Sequence, residues 1–319
     1  MLNELSIEII KRCPNHCIYC SSLSTDKSEE IIPYDTFKEI IDDAVEFGLK
    51  IVCFSGGEPF LHPQLVDMME YSHKKGLKNY IYTSGIYLRE NGQKSSIPTE
   101  IINNIANTAD KIILNIEASN EETYDRIMGT KGCFDLLKDS IRKIIKSNID
   151  IESHFVPMKI NKNQIEETLK FCSELGISKI SFLRLVIHGR AKENEALLSL
   201  SNDEVEEVKH LLSQIQCDNS YNIRIGVPFL NNTDRCRCEA AIGKINIKYD
   251  GCVYPCEAFK NTVACEGKQP DNIFNQRFAS IYKHSPYLKS IRENICEYHK
   301  QESQDSCYGQ YYLSKFQNI

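Results

Sequence analysis

The chain of 319 residues lacks several features that would point directly to a function. It contains no tryptophan, which excludes nothing, and no apolar run approaches the length needed to span a bilayer. Its first ten residues include Glu4 and Glu8 and begin a strand at once, so no signal peptide is visible. A net charge of -6 gives no reason to expect a nucleic-acid or membrane partner. We therefore predict a globular protein located in the cytoplasm.

Cysteine is the residue that the chain has in excess. Fourteen cysteines in a chain without an export signal are not expected to form disulfides, so metal ligation or redox chemistry is the better explanation. Cys13, Cys17 and Cys20 follow an apolar-alternating run at CxxxCxxC spacing. Three thiolates on one short loop suit an iron–sulfur cluster with one iron left open, because the next cysteine is Cys53. A structural zinc site with His16 as the fourth ligand is the alternative.

The order of the predicted elements indicates an α/β fold. Six apolar strand-like segments alternate with amphipathic helices, which argues for a parallel sheet with helices outside it. We predict strands over 5–10, 50–54, 79–83, 111–116, 151–156 and 179–185, and helices over 33–48, 64–75, 99–107, 121–127, 134–147 and 164–175. Parallel strands of this kind place functional groups at their carboxyl ends, where the cysteine loop and Gly56-Gly57-Glu58 fall.

The sequence changes in character past Gly189. A helix predicted over 201–214 is rich in acidic residues and is expected to be solvated, and the chain from Tyr221 onward is dense in cysteine. Asp250-Gly251 is a tight-turn signal between two short strands of a hairpin. We predict a main α/β domain over 1–200, a linker helix over 201–220 and a smaller C-terminal domain over 221–319.

Taken in order, these motifs resemble the radical S-adenosylmethionine (radical SAM) superfamily. The resemblance rests on CxxxCxxC, on Tyr19 before the last cysteine, on Gly56-Gly57-Glu58-Pro59 and on the run from Asn115 through Phe134, and it covers about residues 2–192. It implies a partial (β/α)6 TIM-like barrel and a [4Fe-4S] cluster on the three loop cysteines. S-adenosyl-L-methionine (SAM) would chelate the open iron, and its reductive cleavage would give a 5′-deoxyadenosyl radical that abstracts a substrate hydrogen.

The same resemblance implies which residues contact SAM. Gly56 and Gly57 would allow a close backbone approach, and Glu58 would accept a hydrogen bond from the SAM ammonium. The remaining cofactor-binding residues that it implies are Tyr19, just before the last loop cysteine, and Ser84, Glu117 and Arg184, at strand ends where relatives contact the ribose or the carboxylate. His154 is expected to be a hydrogen-bonded barrel histidine and Arg190 a surface cation. No catalytic acid or base is predicted.

The C-terminal part resembles the auxiliary-cluster extensions called SPASM and twitch domains. Cys238 precedes Gly251 by thirteen residues, and Val253-Tyr254-Pro255-Cys256 follows. The downstream ligand positions do not complete a SPASM ending, so the resemblance implies one auxiliary [4Fe-4S] cluster of the twitch type in a domain of a β-hairpin plus helices. Its implied ligands are Cys238, Cys256, Cys296 and Cys307, with His299 or Cys236 as substitutes. Zinc is the alternative.

The resemblance predicts an oxidoreductase or maturase that modifies a ribosomally made peptide by oxidation or cross-linking. A radical dehydrogenase of a sugar or other small alcohol is the first alternative. A non-catalytic iron–sulfur or zinc redox sensor is the second, and the glycine-glycine-glutamate motif argues against it. The predicted partners are the peptide or small-molecule substrate and an electron donor such as flavodoxin or ferredoxin. A separate leader-peptide-binding protein is added, since a strand beginning near Leu2 leaves no preceding domain for that task.

Overall fold

The computed structural model of the protein describes residues 1–226, 229–230, 238–262, 267–298 and 307–309, without the side chains of 296–298. Backbone packing divides the chain into two compact units. The first unit comprises residues 1–12, 28–81 and 235–319, and the second comprises residues 13–27 and 82–234. Among the described residues, no helix combines the length and the apolar composition needed to cross a membrane.

The predicted alternation of strands and helices is present. The strands are β1 (Glu4–Ile10), β2 (Ile51–Gly56), β3 (Lys78–Thr83), β4 (Ile86–Leu88), β5 (Lys94–Ser96), β6 (Lys111–Asn115), β7 (Asp150–Phe155), β8 (Lys179–Phe182), β9 (Asn222–Ile225), β10 (Lys244–Ile247) and β11 (Val253–Tyr254). The helices are α1 (Tyr34–Val45), α2 (Leu65–Lys74), α3 (Thr99–Ile105), α4 (Glu121–Met128), α5 (Phe134–Lys146), α6 (Ile165–Glu174), α7 (Arg190–Glu193), α8 (Glu195–Leu198), α9 (Asn202–Cys217), α10 (Phe278–His284) and α11 (Pro286–Tyr298).

The first unit is built around β1. This strand pairs in parallel with β2 on one side and with β10 on the other, and β2 pairs in parallel with β3, whose last two residues fall in the second unit. Leu5, Ile7 and Ile9 are completely buried, as expected for an inner strand of a parallel sheet. The predicted hairpin is confirmed: β10 and β11 are antiparallel, and Gly251 N–H donates to the Lys248 carbonyl oxygen. The cysteine-dense C-terminal region therefore contributes two strands to the sheet of the N-terminal strand.

The second unit contains β6, β7, β8 and β9, which pair in that order and in parallel. Helix α5 shows why the helices could be read from the sequence. Its buried apolar residues Phe134, Leu137, Ile141 and Ile144 recur at helical spacing, so one face packs inward while the charged residues stay outside.

One local expectation was wrong in detail, because the loop predicted through Gly92 contains a small hairpin, in which β4 and β5 pair antiparallel. Helix α9 has an exposed acidic face as expected, and Val208, Leu212 and Ile215 are buried along its other side. The start of α9 follows the sequence signal, since Ser201 and Glu204 form a reciprocal capping box. The division into parts at 200 and 220 remains a prediction.

Candidate active site

The segment from Cys13 to Ser24, called the cluster loop, belongs to the second unit. The end of α4 holds its first half through backbone hydrogen bonds. His16 N–H donates to the Met128 carbonyl oxygen (3.1 Å), and Ile18 N–H donates to the Ile127 carbonyl oxygen (2.9 Å). The loop therefore has a defined backbone conformation that depends on a helix more than 100 residues later in the chain.

The three predicted cluster ligands lie on this loop. Cys13 is buried, while Cys17 and Cys20 are partly exposed, and Cys17 Sγ lies 3.7 Å from Met128 Sδ. Burial, followed by the neighbouring Cys13 and Cys20 thiols, raises the pKa of Cys17 well above its ordinary value. The raised pKa favours the protonated thiol. Cationic iron would reverse this preference, because it stabilises the thiolate form. In the part of the chain that the structure describes, no three His, Cys, Asp or Glu side chains are gathered closely enough to hold a metal ion, so ligation by all three thiols stays a proposal.

Asn15 tests whether the loop fits an iron–sulfur cluster. It is 1% exposed, and no described residue forms a hydrogen bond with its side-chain nitrogen or oxygen. A buried polar group without a partner costs about 1–3 kcal/mol. A cluster beside Cys13 and Cys17 would supply sulfur acceptors for the Asn15 N–H groups, so the residues present fit the cofactor.

Glu117 connects the loop to two strands of the second unit. It is completely buried, and its Oε2 accepts a hydrogen bond from Val156 N–H (2.7 Å). Its Oε1 accepts from Asn115 Nδ2 (3.4 Å), and Tyr19 O–H donates to the same carboxyl group. Asn115 Nδ2 also lies 3.4 Å from the Tyr19 hydroxyl oxygen. The side chains of Tyr19, Asn115 and Glu117 therefore form one partly buried hydrogen-bonded group next to the cluster loop, in which Glu117 is the completely buried member.

The buried carboxyl group of Glu117 gives a pH-dependent prediction. Burial raises its pKa from 4.5 to about 7. Between these values the unfolded carboxyl is ionised while the folded one is protonated, so the free energy of unfolding falls as pH rises from 4.5 to 7 and then levels off. Glu117→Gln cannot titrate and should lack this fall, which amounts to at most about 3 kcal/mol. Urea unfolding of both metal-free proteins at pH 5 and pH 7.5 measures it, and parallel changes in the two would contradict it.

The glycine-glycine-glutamate motif lies in the first unit, directly beside the end of β1. Gly57 N–H donates to the Ile10 carbonyl oxygen (2.6 Å), and Glu58 N–H donates to the Arg12 carbonyl oxygen (2.8 Å). A Cβ on Gly57 would lie 2.2 Å from the Arg12 oxygen, so no side chain fits there. The close approach that requires glycine is therefore made to the chain's own residues immediately before Cys13. Glu58 is completely buried, and its Oε1 accepts from Phe60 N–H (3.5 Å).

The remaining predicted side chains are distributed over the second unit. Ser84 is partly exposed, and its hydroxyl oxygen accepts from Ile86 N–H (3.3 Å). Arg184 is partly exposed after β8, and no described residue forms a hydrogen bond or ion pair with its guanidinium. His154 is buried in the barrel as expected, since it is 5% exposed, and its Nε2 lies 3.6 Å from Glu152 Oε1, slightly beyond hydrogen-bond distance.

The first unit contains a second group of thiols. Cys238, Cys256 and Cys307 are each partly exposed. Burial first, then Cys307, Glu257 and Cys238, raise the pKa of Cys256, so Cys238 and Cys307 each lie within electrostatic range of Cys256. Cys296 lies in α11, but its side chain is outside the described residues, as are Cys236 and His299.

Parallel strands joined through helices, with three cysteines on the loop after the first strand, define an α/β protein of the iron–sulfur class. The model of the Radical SAM superfamily matches residues 7–172, and the chain belongs to that superfamily. Its members use a [4Fe-4S] cluster and SAM, so the protein is an enzyme that uses both. This excludes the alternative of a non-catalytic redox sensor.

The PqqA peptide cyclase of Ruegeria pomeroyi is 27% identical over 256 residues, covering 79% of this chain and 66% of that protein. The AdoMet-dependent heme synthase of Methanosarcina barkeri is 22% identical over 325 residues, covering 92% of this chain and 88% of that protein. This chain thus spans about two thirds of the length of the peptide cyclase.

Two solved structures show the fold. Streptococcus suis SuiB bound to its precursor peptide SuiA superimposes with a TM-score of 0.73 at 17% identity, covering 92% of this chain and 67% of that one. The enzyme anSMEcpe with bound AdoMet gives a TM-score of 0.67 at 16% identity, covering 96% of this chain and 87% of that one. The predicted α/β partial-barrel fold is confirmed.

Proposed function

We propose that this enzyme oxidises or cross-links a peptide with a radical generated from SAM. The observation that carries the proposal is the presence of two separate thiol groups, one on the cluster loop and one around Cys256. The second group would hold an auxiliary cluster that accepts the electron left on an oxidised substrate. The peptide is suggested by the names of the peptide cyclase and of SuiB with its precursor peptide.

In this proposal the cluster loop holds the SAM-binding [4Fe-4S] cluster through Cys13, Cys17 and Cys20. The bound groups supply reductive cleavage of SAM and the 5′-deoxyadenosyl radical. The chain contributes binding and orientation. Gly56, Gly57 and Glu58 would receive the methionine part of SAM along the backbone, and the unpaired guanidinium of Arg184 would bind its carboxylate.

The other residues of the proposed SAM-binding set are Tyr19, Ser84 and Glu117. The role of Glu117 differs from the one expected from the sequence. Glu117 is completely buried, and both of its oxygens already accept hydrogen bonds from the protein. We therefore assign it to positioning Tyr19 at the back of the cluster loop. Ser84, partly exposed at the end of β3, keeps the ribose assignment.

The auxiliary [4Fe-4S] cluster would be held by Cys238, Cys256, Cys307 and Cys296, with Cys236 or His299 as substitutes. We further propose a cytoplasmic location, a flavodoxin or ferredoxin as electron donor, and a separate leader-peptide-binding protein. Cysteines that form no disulfide, such as buried Cys172, suit a reducing compartment.

A second candidate function is oxidation of a small molecule. The similarity to the heme synthase favours this candidate, because the alignment covers 88% of that protein's length compared with 66% for the peptide cyclase. Both candidates require the same radical chemistry and differ in the substrate.

Anaerobic reconstitution with iron and sulfide, followed by dithionite and SAM, tests the shared step. We expect 5′-deoxyadenosine and methionine, and no 5′-deoxyadenosine from a protein with its cluster intact would contradict the function. If a short open reading frame lies beside the gene, adding the peptide that it encodes should increase 5′-deoxyadenosine and change the peptide mass by loss of two hydrogens. A peptide of unchanged mass that leaves the yield of 5′-deoxyadenosine unaltered would favour the small-molecule candidate.

A further inference from the structure

Arg190 binds the cluster loop at three carbonyl oxygens. Its backbone N–H donates to the Cys20 oxygen (3.0 Å), its Nε to the Cys17 oxygen (2.8 Å) and its Nη2 to the Ser24 oxygen (3.1 Å). The side chain is partly buried by these contacts. The expectation that Arg190 is a surface cation is therefore wrong.

The residues on either side of Arg190 support the same contact. Gly189 has a φ of 55°, in the left-handed region, and a Cβ there would lie 2.6 Å from the Cys20 oxygen. Glycine is required at this position for both reasons. Asn194 Nδ2 donates to the Ile18 oxygen (3.1 Å) and to the Arg190 oxygen (2.9 Å). The segment 189–194 thus binds the cluster loop from Cys17 to Ser24 and shares only Ile18 with the contact made by α4.

The Arg190 guanidinium also brings a permanent positive charge to Cys17. Because its Nε donates a hydrogen bond to the Cys17 carbonyl oxygen, the charge is fixed beside that residue. Reduction adds negative charge to a cluster, so a fixed cation nearby stabilises the reduced form and raises the reduction potential.

We propose that Arg190 is a positioning residue that orders the cluster loop before iron binds and whose charge favours the reduced cluster. The second half of this statement rests on the proposed assignment of the cluster to Cys13, Cys17 and Cys20. The first half concerns the metal-free protein and stands independently of that assignment.

Amide hydrogen exchange of metal-free protein tests the ordering. Arg190→Gln loses the positive charge and the guanidinium with its two donor groups. In this variant the amide hydrogens of residues 13–24 should exchange about tenfold faster than in the wild type. Arg142→Gln is the matched control, because Arg142 is an exposed arginine on α5, and its loop should exchange like the wild type. An unchanged rate in Arg190→Gln would overturn the proposal.

The reduction potential is a readout that a purely structural role would not move. Only the cluster with the open iron should have an electron paramagnetic resonance signal that changes on adding SAM. At a fixed potential, its ratio of reduced to oxidised form should fall about tenfold in Arg190→Gln, or 59 mV for one electron. Arg190→Lys keeps the charge and should stay near the wild-type ratio while its loop still exchanges faster.

Equal ratios in the wild type and Arg190→Gln, or equal falls in the Gln and Lys variants, would overturn the role of the charge. If Arg190→Gln takes up no iron, its amide exchange rate still tests the ordering of the loop. The reduction potential of Arg190→Lys then tests the role of the charge. Failure of the proposed function would appear separately, as wild-type protein that forms no 5′-deoxyadenosine.

Discussion

Changing Cys13, Cys17 and Cys20 together to alanine should abolish 5′-deoxyadenosine formation and leave about four irons per chain. The loop would lose all three thiol ligands, whereas Cys238, Cys256 and Cys307 lie in the other unit and keep theirs. Iron analysis and product detection after anaerobic reconstitution measure the two effects. Complete loss of 5′-deoxyadenosine formation together with retention of the remaining iron would require two independent iron sites.

Cys217→Ala is the matched control, because Cys217 is exposed at the end of α9 and belongs to neither thiol group. It should keep the wild-type iron content and product yield. Product formed by the triple variant would refute the cluster assignment on the loop. Iron falling to zero in the triple variant would refute the auxiliary assignment.

The fold was largely predictable because its elements carry strong periodic signals. Long amphipathic helices such as α5 and buried strands such as β1 repeat their apolar residues over enough turns to be read locally. The hairpin of β4 and β5 was missed because each strand has three residues, too few to show an alternation. The pairing of β10 with β1 joins residues about 240 positions apart, and no local pattern encodes it.

The candidate site also has parts that could be predicted from the sequence and parts that could not. Cysteine spacing is local, so the cluster loop could be identified from its sequence alone. The residues that hold the loop are distant in sequence, since Arg190 binds Cys17 across 173 positions. A lone arginine after a glycine carries no signal of that contact. Glu117 was singled out as a site residue from the resemblance, but its burial and its bond to Val156 N–H depend on the strand neighbour and could not be inferred.

Removing one member of the buried ion pair between Glu8 and Lys260 should lower the free energy of unfolding by about 3–5 kcal/mol. Lys260 Nζ lies 2.5 Å from Glu8 Oε1, and the two side chains are 7% and 1% exposed. Lys260→Met would leave the Glu8 carboxylate in β1 buried without this cation, and Glu8→Gln would do the reverse. Urea unfolding of metal-free protein at neutral pH measures the loss.

The double variant Glu8→Gln/Lys260→Met removes both charges and should recover most of the loss, because the cost arises from leaving one charge buried alone. Lys74→Met is the matched control: Lys74 and Glu70 form an exposed pair at 3.5 Å, with side chains 75% and 49% exposed, and little should change. A Lys260→Met variant as stable as this control would show that water reaches the pair. Because Lys260 follows Cys256 by four residues, a confirmed loss would mean that β1 and the auxiliary thiols are stabilised together.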